Sequence, residues 1–147
     1  MNMMLSVDIN DPAAESVVAT AVEWAERMGG RLDLVHGEGA RYAYEFIDDQ
    51  AVRKLMEIEA DRLRTGDTER LDGLLAGVPE AIRGEARSLR GNLVDTLLET
   101  AEDYDLMIVA THGRKGLAHL WLGSVAEQLV RRCSRPLVVL RIPRDEG

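Results

Sequence analysis

The segment Leu106-Met107-Ile108-Val109-Ala110-Thr111-His112-Gly113, then nine residues, then Gly123-Ser124-Val125-Ala126-Glu127, carries a strand into a helix across a long loop. Leu106 to Ala110 is continuously apolar, the pattern of a strand covered on both faces. Ser124 and Glu127 have the spacing of a capping box, which predicts a helix N-terminus at Gly123-Ser124. The helix that follows has Val125, Ala126, Leu129, Val130 and Cys133 on its inner side. A helix N-terminus offers N–H groups and the positive end of a dipole, and a glycine lets backbone approach a ligand closely. The loop from Thr111 to Leu122 therefore reads in two ways. It is an ordinary connection into a well-capped helix, or it is a phosphate cradle.

The alternation continues on the N-terminal side. Met3 to Val7 reads as a first strand ending at Asp8, and Asn10-Asp11-Pro12 as the start of a helix. Ala14, Val17, Val18, Ala21, Val22, Ala25 and Met28 fall on one helical face, and Gly29-Gly30 ends it. Arg31 to His36 is a second strand. A loop with Tyr42, Tyr44 and Phe46 leads to a helix whose apolar face includes Ala51, Val52, Leu55 and Met56, with Thr65-Gly66-Asp67 as a point of interruption. Pro79 to Leu89 is a polar third strand, Leu93 to Ala101 a helical stripe and Pro136 to Ile142 the last strand. The order β-α-β-α-β-α-β-α-β predicts an α/β fold with a parallel sheet and helices on both faces, in a single domain over residues 1–147.

Composition narrows the function classes. The chain has 147 residues, and 26 acidic against 18 basic side chains leave a net charge of −8. Such a field repels phosphate backbones and anionic membranes, so neither a nucleic acid nor a membrane is expected as partner. Lys54 and Lys115 are the two lysines, and arginine supplies the remaining basic residues. That bias reads as a salt-adapted surface or as an arginine-rich codon preference. One cysteine, Cys133, permits no intramolecular disulfide and reads as a small core hydrophobe. No apolar run has membrane-spanning or secretory-signal length, so the expected location is cytoplasmic.

The residues from Asp105 to Arg141, above all Thr111-His112-Gly113-Arg114 and Leu122-Gly123-Ser124-Val125-Ala126-Glu127, resemble the C-terminal half of the universal stress protein family. The family pattern is Gly, two residues, Gly, nine residues, then Gly and Ser or Thr. This chain matches it at Gly113, Gly123 and Ser124, with the nine-residue gap, and Asp8 and Leu34-Val35-His36 extend the likeness to the N-terminal half. The resemblance implies a Rossmann-like three-layer α/β/α fold with five parallel strands in the order 3-2-1-4-5, and a homodimer joined through the C-terminal strand. It also implies ATP, or AMP or ADP in its place, with Mg²⁺ accompanying the nucleotide. Val7, Asp8 and backbone near Gly37 would then lie at the adenine end, and Val109 and Ala110 at the ribose and first phosphates. Gly113, Arg114, Gly123, Ser124, Val125 and Ala126 would hold the phosphate chain. Ala110 departs from the pattern, which has its first glycine there. Ile9-Asn10 and Gly37 also replace the usual residues.

Read by residue type, Asp8 is a nucleotide contact, a loop cap or the partner of an arginine. His112 and His119 meet a phosphate or metal or stay unengaged, and Arg114 and Lys115 steer an anion or are solvated. Trp121 and the Tyr42/Tyr44/Phe46 group read as packing residues. No Walker lysine, synthetase-type Ser-Gly-Gly loop or receiver-type acid set is present. At most a weak ATPase is expected. The two functional readings are an ATP-binding stress regulator acting through a protein partner and a nucleotide-free dimeric interaction module.

Overall fold

A computed structural model describes residues 1–38, 47–112 and 123–142. Five strands alternate with four helices: β1 (Asn2–Ser6), α1 (Ala14–Met28), β2 (Arg31–Gly37), α2 (Gln50–Ala76), β3 (Arg83–Leu89), α3 (Leu93–Ala101), β4 (Leu106–His112), α4 (Ser124–Arg132) and β5 (Leu137–Ile142). All strand pairs are parallel, and the order is β3-β2-β1-β4-β5, as the resemblance implies.

Strand alternation divides the core into two layers. Register places Leu34, Leu5, Ile108 and Val138 in one row across four strands. That face packs against Val17, Val18, Ala21 and Val22 of α1 and Leu71 of α2. Met4, Val35, Met107 and Val109 point the other way, onto Val94 and Leu97 of α3 and Leu129 of α4. Side chains are buried on both faces of the central strands, which explains their near-continuous apolar sequence.

Several expected boundaries move. Residues 79–82 form a turn, with the Ile82 N–H donating to the Pro79 carbonyl at 3.0 Å, so the third strand begins at Arg83. The last strand extends the fourth by two residues beyond Ala110, because Thr111 pairs with Arg141 and His112 with Ile142. Helix α2 runs unbroken through Thr65-Gly66-Asp67. The Thr65 hydroxyl donates back to the Asp61 carbonyl at 3.1 Å, and buried Asp67 and Leu71 fasten the following turns to the sheet. The expected apolar face of that helix is turned outward: Ala51, Val52, Leu55 and Met56 are all exposed. Val130 is likewise exposed, and Cys133 is half-buried at the end of α4.

A polar group lies inside the sheet. The Tyr104 hydroxyl donates to Asp33 Oδ2 at 2.6 Å, and Arg87 Nη1 donates to the same hydroxyl at 3.1 Å. Burial, and then the bond donated to Asp33, push the Tyr104 hydroxyl above its ordinary pKa of 10.0. The folded chain therefore keeps this proton at a pH where the unfolded chain releases it. Stability from this group is complete below pH 10 and declines as pH rises above it. Tyr104→Phe is expected to lose about 2 kcal/mol at neutral pH, from the two hydrogen bonds of this hydroxyl. The gap to the parent should narrow above pH 10.0 in urea titrations. A gap that is constant with pH would count against this assignment.

Candidate functional site

Strand β1 has β2 on one side and β4 on the other, so the chain reverses winding direction between β1 and β4. In open α/β sheets this leaves a crevice beyond the carboxyl ends of the two strands. A crevice of about 520 Å³ lies there. That volume is within the range of small-molecule sites.

The β1 wall is built by a turn closed on Asp8. The Val7 N–H still donates to Val35 at 2.9 Å, but the chain then leaves the sheet. The Asn10 N–H donates to Asp8 Oδ1 at 3.0 Å, and the Asp11 N–H to the Asp8 carbonyl at 3.1 Å. Asp8 therefore does cap a loop, and its exposed side chain also lines the crevice. A second turn follows, in which Asp11 Oδ1 accepts from the Ala13 N–H at 2.8 Å. Ala14 and Val17 of α1 continue this wall. Behind it, buried His36 places Nδ1 3.3 Å from the Val7 carbonyl. Its Nε2 lies 3.9 Å from Asp67 Oδ2.

Val109, Ala110 and Thr111 of β4 form the opposite wall, and residues 123–126 close the end. The helix cap differs from the expected capping box. Gly123 is the N-cap, at φ 84° and ψ 153°, and no described side chain caps this terminus. The Gly123 carbonyl accepts from the Glu127 N–H at 3.0 Å. Ser124 is thus the first helical residue rather than the cap, and Glu127 pairs with Arg131 at 2.7 Å instead of reaching back. The first N–H groups of α4 have no intrahelical acceptors and lie at the crevice. This arrangement suits an anion at one end and an apolar or ring-shaped group between Val7, Val17, Leu93 and Val109.

Eight of the expected site residues are brought together here: Val7, Asp8, Val109, Ala110, Gly123, Ser124, Val125 and Ala126. Gly37 is not among the lining residues. It packs against α3, where a Cβ would lie 2.2 Å from Leu93 Cδ1, and Leu93 reaches the crevice in its place. Gly113 and Arg114 lie outside the described residues, as do Lys115, His119, Trp121 and the Tyr42/Tyr44/Phe46 group; the His112 side chain is not described. Asp11, Ala14, Val17, Leu93 and Thr111 are additional lining residues. Asp11-Pro12 was visible as a helix start, whereas Val17 and Leu93 looked like ordinary core.

A second groove, of about 760 Å³, runs between α1 and α2 and shares Asp11 and Ala14 with the crevice. It is lined by no residue of β1 or β4, whereas the crevice sits at the carboxyl ends of both, so the crevice is the better site. Among the described residues, no three His, Cys, Asp or Glu side chains form a metal-holding group. No described helix is long and apolar enough to cross a membrane.

Comparison with known proteins agrees with this geometry. The family model described as the universal stress protein family matches residues 1–141. A universal stress protein from Thermus aquaticus is 29% identical over 143 residues, which covers 95% of this chain and 97% of that protein. Another, from Mycolicibacterium smegmatis, is 29% identical, and the match spans 95% of this chain but 45% of that protein. Among solved structures, the hypothetical protein MJ0577 superposes with a TM-score of 0.73 at 17% identity, covering 99% of this chain and 97% of the other. A universal stress protein in complex with cAMP superposes at 0.63 with 19% identity, covering 96% of each chain. The Archaeoglobus fulgidus universal stress protein in complex with dAMP superposes at 0.56 with 17% identity, covering 95% of this chain and 96% of the other. Strand order, crevice and whole-length match converge, and the chain belongs to the universal stress protein family.

Proposed function

We propose that this chain binds an adenine nucleotide in the β1–β4 crevice, with ATP as the principal ligand, and signals its occupancy to a protein partner as a stress-response regulator. The observation that carries the reading is the α4 N-terminus, which has no described side-chain cap and opens onto a crevice that also holds Asp8. Relatives of the same fold in complex with cAMP and dAMP support an adenine nucleotide as the ligand class. In this reading Val7 and Asp8 take the adenine end, Val109 and Ala110 face the ribose, and Gly123 to Ala126 hold the phosphates. Gly113 and Arg114 complete the phosphate end.

Mg²⁺ would arrive with the phosphate chain and offset its charge in a crevice whose acidic residues are Asp8 and Asp11. The role of the chain's own residues is to orient the nucleotide between an apolar slot and a ring of N–H donors. Strand β5 is the natural self-association edge. It lies last in the sheet, and Leu137, Val138 and Val139 are only half-buried.

One observation favours the nucleotide-free reading: the Ala110 methyl stands at a crevice position where the family pattern has glycine. Calorimetric titration with ATP, ADP and AMP, each with and without Mg²⁺, separates the two. Heat with ATP is the expected result. A folded protein giving no heat with any of the three would overturn nucleotide binding. Recovery of binding in Ala110→Gly would then identify the methyl as the obstacle.

A further inference from the structure

Helices α3 and α4 both begin at the crevice, through Leu93 and Ser124, and the two termini differ in chemistry. The α3 terminus is closed: the Asn92 side chain accepts the Asp95 N–H at 3.1 Å, and the Asp95 carboxylate stands in its first turn. It therefore offers an anion less than the α4 terminus does. What α3 contributes instead is Leu93, its one residue among the described lining of the crevice. Leu93 is half-buried and its side chain has no polar atom, so it can press on a ring face but cannot hydrogen-bond a ring edge.

Gly37 makes room for it. Gly37 ends β2 without a positive φ, so its backbone does not require glycine. A Cβ at 37 would lie 2.2 Å from Leu93 Cδ1 and 3.6 Å from Leu93 Cγ. Within 4 Å it would meet no other described residue beyond its chain neighbours. The side chain missing at 37 is thus space that Leu93 fills. Resting on the nucleotide reading above, we propose that Leu93, seated in the gap at Gly37, selects the ring of the ligand and favours a bicyclic purine over a pyrimidine. Selection is by buried area, since the larger ring covers more of an aliphatic wall.

Calorimetric titration with ATP, CTP and inorganic tripolyphosphate, each with Mg²⁺, tests this. The parent should bind ATP about tenfold more tightly than CTP. Leu93→Ala should weaken ATP about tenfold, bring ATP and CTP within about threefold of each other, and leave tripolyphosphate unchanged. Val94 and Leu97 still anchor α3, so a thermal melt should show a folded variant. The second variant, Leu93→Ala with Gly37→Val, returns aliphatic surface to the vacated space from β2 and should recover most of the preference for ATP. A parent that binds ATP, with a Leu93→Ala variant whose ratio of ATP to CTP affinity is unaltered, would overturn the proposal and leave the nucleotide reading standing. Equal loss of all three ligands, or a double variant no better than the single one, would do the same. A parent that binds none of the three overturns both.

Discussion

Gly123→Val is expected to reduce nucleotide affinity by about a hundredfold or more, the equivalent of losing two charge-assisted hydrogen bonds. The cause is the backbone rather than a collision. Gly123 holds φ 84° and ψ 153°, a conformation open essentially to glycine alone. Among the described residues, a Cβ added there would meet nothing nearer than Thr111 Oγ1 at 3.8 Å, an ordinary contact. Any side chain at 123 therefore drives φ negative, which turns the following peptide and takes the Ser124 and Val125 N–H groups off the crevice. Gly123→Ala should for this reason lose most of what Gly123→Val loses. A purely steric role would spare the alanine variant. The strain costs about 1–3 kcal/mol. Ala126 and Leu129 still anchor α4 in the core, so the protein should remain folded. Titration of both variants beside a thermal melt provides the check. Parent-like ATP binding by the two would remove the α4 terminus from the site.

The junction around Gly123 also shows how far local sequence carries. Ser124 and Glu127 correctly locate the helix start, because capping preferences are local. They do not reveal that Gly123 occupies the cap position, since φ depends on how the preceding loop enters the helix. Asp8 was legible for a similar reason: a polar residue ending an apolar strand must leave the sheet. Gly37 was not. Whether it faces the crevice depends on Leu93, 56 residues later, which occupies the space a side chain would need.

The topology was readable because β1, β2 and β4 are apolar on both faces while α1 and α3 carry a single stripe. Helix α2 lacked that clarity. Its N-terminal apolar periodicity resembles a core face, yet the burial lies further along, at Asp67 and Leu71. Periodicity reports that a face wants cover and cannot say whether the cover is the chain's own sheet. Polar residues in strands raise the same difficulty. Asp33 and His36 look like solvent-facing positions, but both are buried by groups distant in sequence, Tyr104 and Asp67.

Asp33→Ala is therefore expected to be among the most destabilising single changes, at about 2–4 kcal/mol. Strand β3 carries an irregularity opposite Asp33: Leu32 pairs with Arg83 but Leu34 pairs with Ala86, so Gly84 and Glu85 together face one residue. Such a bulge leaves a backbone donor without a ladder partner. Asp33 Oδ1 supplies the acceptor, taking the Glu85 N–H at 2.7 Å, while Oδ2 takes the Tyr104 hydroxyl at 2.6 Å. Removing the carboxylate strands two donors in a site with little water access, and each such loss costs about 1–3 kcal/mol. Gly84 belongs to the same device. A Cβ there would lie 1.8 Å from Asp33 Oδ1 and 2.7 Å from the Leu32 carbonyl, so Gly84→Ala must expel the carboxylate from the bulge. The two changes should consequently be less than additive, because the double variant loses the collision with the carboxylate and keeps the one with the Leu32 carbonyl. Asp33→Asn retains one acceptor and should lose about half as much as alanine. Urea unfolding of the parent and the four variants measures this, provided the slope stays unchanged. Full additivity of Asp33→Ala and Gly84→Ala would mean that the carboxylate does not hold the bulge.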